Sequence, residues 1–116
     1  MIRTRVLTVN VPPLLQGVLT GIAVENPELL MVGDADTEHM LDATASKQPN
    51  VVVLGGRGAE VEALLARLRV LHPGLRVIAL GREGERAVVH EPDCSPRVIN
   101  AVSAANLLHM LLGRMQ

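Results

Sequence analysis

The sequence has 116 residues, of which 48% are hydrophobic and 20% are charged, and its formal net charge is −1. This balance predicts one globular domain with its own core rather than a disordered chain. There is no Phe, Tyr or Trp, so the chain lacks an aromatic platform for stacked bases, and its near-neutral charge gives no general attraction to nucleic acid or anionic membranes.

The cysteine content and the N-terminal segment bear on the compartment. The single cysteine, Cys94, excludes an internal disulfide and fits a reducing environment. No long apolar run follows the N-terminal arginines, and no segment approaches the roughly 20 apolar residues of a membrane-spanning helix. We therefore expect a soluble, cytoplasmic protein.

Strands and helices are predicted to alternate through the first 80 residues. Short apolar runs at residues 5–10, 29–32, 50–54 and 76–80 predict strands, because each ends at a turn residue or a proline. Apolar residues at helical spacing between these runs predict helices after Pro12, at residues 37–47 and at residues 61–71. This alternation predicts a parallel sheet with helices on both faces and sites at the carboxyl ends of the strands.

The alternation breaks after residue 80. Only residues 82–85 separate the fourth strand and its terminal glycine from a fifth predicted strand at residues 86–90, whereas a parallel crossover needs a dozen or more. Either the fifth strand turns back antiparallel, or an extended loop returns along the sheet without a helix. Ser95 as a cap and Pro96 in the first turn then predict a long helix from residue 96 to about 112, ended by Gly113.

With these elements placed, the chain resembles the receiver domain of bacterial two-component response regulators, especially receivers that precede a helix-turn-helix output domain. The likeness rests on the order and spacing of RVLTVNVPPLLQGV, PELLMVGDADTEHMLDA, QPNVVVLG and LHPGLRVIALG. It implies a three-layer α/β fold with a doubly wound, five-stranded, flavodoxin-like sheet in the order 2-1-3-4-5. The fourth helix of the family is missing here or reduced to a turn.

The departures from the family concern its phosphorylation site. In receivers, two acidic residues bind magnesium, an aspartate accepts the phosphoryl group, and a hydroxyl and a lysine respond to it. The corresponding positions here are Asn10, Val11, Gly55, Gly81 and either His90 or Glu91. Magnesium prefers carboxylate oxygens, and the phosphorylation switch draws a hydroxyl to the new phosphate. The resemblance therefore implies a degenerate, phosphorylation-independent receiver that is not an enzyme, binds no metal and uses no cofactor.

A second hypothesis, of a different class, is a small-ligand sensor. Two glycine-rich loops, at residues 55–58 and 81–84, follow neighbouring predicted strands and could hold an anion or a nucleotide. The candidate ligand-binding residues are Gly56, Arg57, Gly58 and Arg82. Neither loop matches a dinucleotide or P-loop fingerprint.

The last predicted helix is apolar around most of its circumference, which predicts a partner surface, because a surface helix needs only one apolar stripe. The candidate interface residues are Val98, Ala104, Leu107, Leu108, Met110, Leu111 and Leu112. We expect a homodimer or a complex with another protein, with no membrane contact and no direct nucleic-acid contact from this domain. A covalently linked DNA-binding output domain in a longer protein would fit the resemblance.

Overall fold

The computed structural model describes residues 3–56, 58–81, 85–92, 94–100 and 102–113. The strands are β1 (Thr4–Val9), β2 (Leu29–Ala35), β3 (Val51–Leu54), β4 (Arg76–Leu80), β5 (Arg86–His90) and β6 (Arg97–Asn100). The helices are α1 (Pro13–Glu25), α2 (Met40–Lys47), α3 (Gly58–Leu71) and α4 (Ala104–Leu112). Within these ranges, no helix combines the length and apolar composition needed to cross a bilayer.

The strands form one sheet in the order β2-β1-β3-β4-β5-β6. The first four are parallel to one another, whereas β5 is antiparallel to β4 and β6 is antiparallel to β5. The α/β class and the order 2-1-3-4-5 of the first five strands are thus confirmed. Because β5 and β6 each reverse direction, β6 runs the same way as β1 to β4.

Helices cover the sheet on both faces, and each face has its own core. Against one face, α1 and α4 bury Leu19, Ile22 and Met110. Against the other, α2 and α3 bury Met40, Leu64 and Leu68. All four residues of β3 are buried because that strand lies at the centre of both layers, which explains its continuous apolar run.

A hairpin replaces the family's fourth helix. The sequence left the direction of the fifth strand open, and the structure makes it antiparallel. The N–H of Gly81 donates to the carbonyl of Arg86 at 2.7 Å and so closes the hairpin between β4 and β5. A helical crossover does not fit into so short a connection, which confirms the predicted loss of that helix.

The predicted long helix at residues 96–112 is wrong in its first half. Residues 97–100 form β6, in which Val98 pairs with Val88 and Ile99 pairs with Ala87. β-Branched side chains favour such pairing. The helix begins later, where Ser103 Oγ accepts a hydrogen bond from the Asn106 N–H at 3.1 Å, so the N-cap is Ser103 and not Ser95. The sheet therefore has a sixth strand beyond the predicted five.

Candidate functional site at the strand ends

The carboxyl ends of β1, β3 and β4 bring Asn10, Gly55 and Gly81 to one edge of the sheet, which we call the strand-end site. The pairing of β3 with both β1 and β4 fixes this neighbourhood, since Leu54 lies opposite Val9 on one side and Ala79 on the other. Three of the predicted degenerate positions are therefore close together, as expected for parallel strands that share one edge.

Gly55 occupies a place with no room for a side chain. A Cβ built on it would lie 2.9 Å from the carbonyl carbon of Asn10 and 2.9 Å from the Cα of Val11, and closer still to the Asn10 oxygen. Side-chain carbons do not approach backbone atoms so closely, and Gly55 itself is buried. The backbone of Asn10 and Val11 thus fills the space into which a phosphoacceptor side chain would project.

Asn10 holds this backbone in place. Its φ is +56°, a left-handed conformation that asparagine tolerates better than most residues, and its N–H donates to the Ala35 carbonyl at 3.1 Å. The side-chain amide donates to Thr37 Oγ1 at 2.7 Å, and that hydroxyl donates to Glu60 Oε1 at 3.1 Å. A polar chain therefore ties the loop after β1 to the loop after β2 and to the first turn of α3.

Sequence reasoning did not identify Thr37 or Glu60 as members of the site. Thr37 and Glu60 are 23 positions apart, and no spacing pattern in the sequence predicts a hydrogen bond between them. An acidic residue in the first helical turn, such as Glu60 in α3, is explained equally well by the helix dipole. Only the fold brings Thr37 and Glu60 next to Asn10.

Gly81, the predicted counterpart of the switch hydroxyl, is also sterically constrained. A Cβ there would lie 3.0 Å from Glu85 Oε1 and 3.2 Å from the Arg86 carbonyl oxygen. The glutamate can move aside, but the carbonyl belongs to the hairpin backbone. The position presents no side-chain group that could respond to a phosphate.

His90 and Glu91 do not belong to the strand-end site, so the predicted counterparts of the family's lysine are wrong in position. β5 runs antiparallel to β4 and pairs His90 with Val77, which places both residues at the opposite edge of the sheet. There Glu91 Oε1 accepts from Arg76 Nε at 2.8 Å, and Arg76 Nη1 also donates to the Leu111 carbonyl at 3.3 Å. Glu91 thus helps to fix the end of α4.

His90 lies partly buried between β5 and α3, and its Nδ1 is buried without a hydrogen-bond partner. Burial lowers the pKa of His90 below its ordinary value, and the nearby Arg69 lowers the pKa further, while Glu62 opposes this. On the exposed loop before α2, a side-chain hydrogen bond from His39 lowers the pKa of Asp36. Neither group faces the strand-end site.

The predicted ligand-binding loops are described only in part, since Arg57 and Arg82 lie outside the described residues. Gly56 and Gly58 have φ values of +119° and +49° and lead into α3. The N–H of Gly55 donates to the Val9 carbonyl at 2.8 Å and that of Gly81 to Arg86, so neither is free for an anion. In the part of the chain that the structure describes, no three His, Cys, Asp or Glu side chains come together as metal ligands.

The predicted interface residues divide among three environments. Leu107, Met110 and Leu111 are buried in this chain's own core, so the apolar surplus of the last helix largely packs internally. Leu108 and Leu112 are half-buried, and Ala104 is exposed on the same helix. Val98 is 52% exposed and lies on β6, apart from that helix. These residues therefore do not form one surface.

Comparisons with solved structures identify receivers as similar folds. The signal receiver domain of a putative NarL response regulator from Mycobacterium tuberculosis is 24% identical at a TM-score of 0.58, over 70% of this chain and 68% of that one. The isolated RcsB receiver domain from Salmonella enterica serovar Typhimurium, in the presence of phosphomimetic BeF3−, is 15% identical at a TM-score of 0.58, over 68% and 62%.

A structure of two RcsB dimers bound to two parallel DNAs is 15% identical at a TM-score of 0.58, over 68% of this chain and 44% of that one. The match thus spans less than two thirds of the length of either RcsB chain. No protein-family model and no curated protein matches the sequence. The parallel β1–β4 sheet, its strand order and these matches together show that this chain has the fold of a response-regulator receiver domain.

Proposed function

We propose that the chain is a non-catalytic, receiver-like signalling module that works without phosphorylation and acts by forming a homodimer. The surface that mediates the dimer is the outer side of α1 and α4, which we call the α1–α4 face. The observation that carries the proposal is that this face exposes large apolar side chains, while α1 and α4 together carry a single Asp, Glu, Lys or Arg, namely Glu25.

Independence from phosphorylation follows from the strand-end site. Gly55 supplies no carboxylate, and the backbone of Asn10 and Val11 occupies the space that one would need. We expect acetyl phosphate with magnesium to leave the intact mass of the protein unchanged. A stable adduct of one phosphoryl group would contradict this part of the proposal.

The α1–α4 face exposes large apolar side chains along α1. Leu14 is 81% exposed and Val24 79%, and their ten-residue separation leaves them about 80° apart around α1; Val18 is 38% exposed. Gly17 and Gly21 lie between them, and a Cβ on either glycine would meet nothing within 4 Å. Glycine weakens a helix interior by roughly 0.5–1 kcal/mol, and here it gains no contact within the chain. A second helix backbone could approach closely at these positions.

The two helical layers differ in their content of charged residues. α1 has 13 residues and α4 has 9, and Glu25 is their only Asp, Glu, Lys or Arg. α2 has 8 residues and α3 has 14, and they carry six such residues, namely Asp42, Lys47, Glu60, Glu62, Arg67 and Arg69. Depletion of charge with retention of apolar residues is the compositional mark of the core of a protein interface.

A second copy of the chain suits this face because a two-fold axis brings the same surface together from both subunits. Because Glu25 is the single Asp, Glu, Lys or Arg of these two helices, the face meets itself with little like-charge repulsion. α1 is about 20 Å long at 1.5 Å per residue, and Ala104 on α4 is also exposed. A contact of this size favours a reversible dimer rather than an obligate one.

The test compares two valines of equal exposure on opposite layers. Val24 on α1 and Val70 on α3 are both 79% exposed. We expect light scattering over a concentration series to show a dimer for the wild-type chain and for Val70→Glu, and a monomer for Val24→Glu. A wild-type chain that remains monomeric up to about 1 mM, where even a −4 kcal/mol association would be populated, would overturn the proposal. A dimer that Val24→Glu leaves intact would reject this face.

A regulatory role in transcription is an extension of the same proposal. One structural neighbour is described as dimers bound to DNA, which supports a module that sets the spacing of DNA-binding domains. Because the chain is nearly neutral and lacks aromatic residues, we assign DNA contact to a separate output domain rather than to this one.

A further inference from the structure

The side of the sheet that carries α3 is left partly uncovered next to β5. A groove of about 410 Å³ lies between α3 and the strands β4 and β5. Val61 and Leu65 line its helical wall, and Ala79 and Val88 line its floor. We call this space the helix-free groove, since it lies where the chain has a hairpin instead of a further helix.

Burial alternates sharply along β5. Ala87 is fully buried and Val89 is 4% exposed, because both point toward α1 and α4. Val88 points to the other side and is only half-buried. Its cross-strand partner on β6, Val98, is 52% exposed. Ala79, Val88 and Val98 therefore form an apolar row across three strands that no described helix of this chain covers.

The width of the uncovered floor matches one helix. Neighbouring strands lie about 4.8 Å apart, so the distance from β4 to β6 is roughly 10 Å. An α-helix with its side chains is about 10–12 Å in diameter. A single helix laid beside α3 would cover the apolar row.

Charged residues flank the apolar row on both sides along the strands. Arg86, at one end of β5, is exposed and lines the groove, while Arg69 of α3 lines an adjoining cavity that shares His90 with the groove at the other end. Arg86 and His90 are four positions apart, or about 13 Å along the strand, which corresponds to roughly nine residues of helix. Among the described residues that line the groove, the carboxylate is Glu62 on the α3 wall; Glu91 lines the adjoining cavity and accepts a hydrogen bond from Arg76 Nε.

We propose that the helix-free groove binds an amphipathic helix of another protein. This helix carries an apolar stripe bracketed by carboxylates about nine residues apart, which pair with Arg86 and with Arg69. A basic side chain on its flank meets Glu62. The pattern is that of helix-in-groove recognition, in which anchors at i, i+3, i+4 and i+7 enter an apolar cleft.

The occupant is a different protein rather than a second copy of this chain. α1 has a carboxylate only at its C-terminal residue Glu25, and α4 has none. The apolar sides of α2 and α3 are already buried against the sheet. The inference thus goes beyond the homodimer and does not depend on it.

A displayed library of 14-residue helical peptides, selected on the full chain, tests the proposal. We expect the enriched peptides to carry carboxylates on both sides of an apolar stripe. Arg86→Glu, a change at an exposed position, should weaken their binding about tenfold, and peptides with lysine at the matching position should recover it. Val88→Asp should abolish binding, and amide shifts should map to Ala79, Val88 and Val98. Val24→Glu should leave peptide affinity unchanged, which separates this proposal from the homodimer.

Three results would overturn the inference. The first is a selection that enriches no peptide above the level obtained with the Val88→Asp chain. The second is a set of binders that Arg86→Glu does not affect. The third is a set of amide shifts confined to the α1–α4 face.

Discussion

Replacing Gly55 by alanine is the most direct probe of the strand-end site. The added methyl group would sit 2.9 Å from two backbone atoms, the Asn10 carbonyl carbon and the Val11 Cα. Comfortable carbon contacts begin near 3.5 Å, so these two atoms must retreat by about 0.6 Å, and the Asn10 carbonyl oxygen, which is closer still, must retreat further. The φ of Gly55 is not in the left-handed region, and the penalty is therefore steric rather than conformational.

The expected penalty is at the upper end for an overpacked core. Inserting a methyl group into a packed site typically destabilises by 1–3 kcal/mol, and here the obstructing atoms are backbone held by hydrogen bonds from Asn10 to Ala35 and Thr37. We expect about 3 kcal/mol. For a chain of 116 residues, 1 kcal/mol corresponds to roughly 4 °C, so the melting temperature should fall by about 12 °C.

Thermal unfolding and urea titration of both variants measure this effect, with Gly74→Ala as the matched control. A Cβ at Gly74 meets nothing within 4 Å, and its φ is not left-handed. This control should be neutral or slightly stabilising, because alanine restricts the unfolded chain more than glycine does. A Gly55→Ala variant as stable as Gly74→Ala would refute the view that backbone fills the phosphoacceptor position.

Two other predictions concern α4 and His90. Ser103→Ala should lower the free energy of unfolding by about 1 kcal/mol because it removes the N-cap acceptor. Ser95→Ala should change the free energy of unfolding by no more than about 0.5 kcal/mol. A larger loss for Ser95→Ala than for Ser103→Ala would instead support a helix that begins at residue 96. The pKa of His90 is lower in the folded chain than in the unfolded one, so the unfolded state binds the proton more readily and stability falls as pH drops below about 6.5. Urea titrations from pH 7.5 to 5 should show a smaller loss for His90→Gln, and superimposable profiles would contradict this.

The strand-end site retains the framework of a receiver fold and supports the proposal that the chain works without phosphorylation. The loops after three parallel strands lie at one edge of the sheet, and the residues in these loops form hydrogen bonds within the protein. The side chains of Asn10, Thr37 and Glu60 are joined by two hydrogen bonds. The N–H groups of Gly55 and Gly81 donate to the carbonyls of Val9 and Arg86. Such a site is suited to holding the loops rigidly, which agrees with a module that signals through its outer faces.

Local patterns determined much of the fold. The four-residue apolar run of β3, rich in valine and followed by glycines, predicted a strand buried on both faces. Proline at the start of α1 and Gly113 after α4 set helix limits that the structure retains. Residue identity alone also predicted that position 55 carries no carboxylate, because it is a glycine. These inferences hold because propensity, capping and missing functional groups are properties of single residues or short windows.

Tertiary structure decided what depends on distant partners. Residues 97–100 became a strand because β5 offered an edge for pairing, although Pro96 and the apolar spacing also suit a helix. His90 lies at the far edge of the sheet because β5 runs antiparallel to β4. The contact between Asn10 and Gly55 joins residues 45 positions apart, and the exposure of Val24 depends on which side of α1 meets the sheet. Long-range pairing and packing fix these features, and no local pattern in the sequence encodes them.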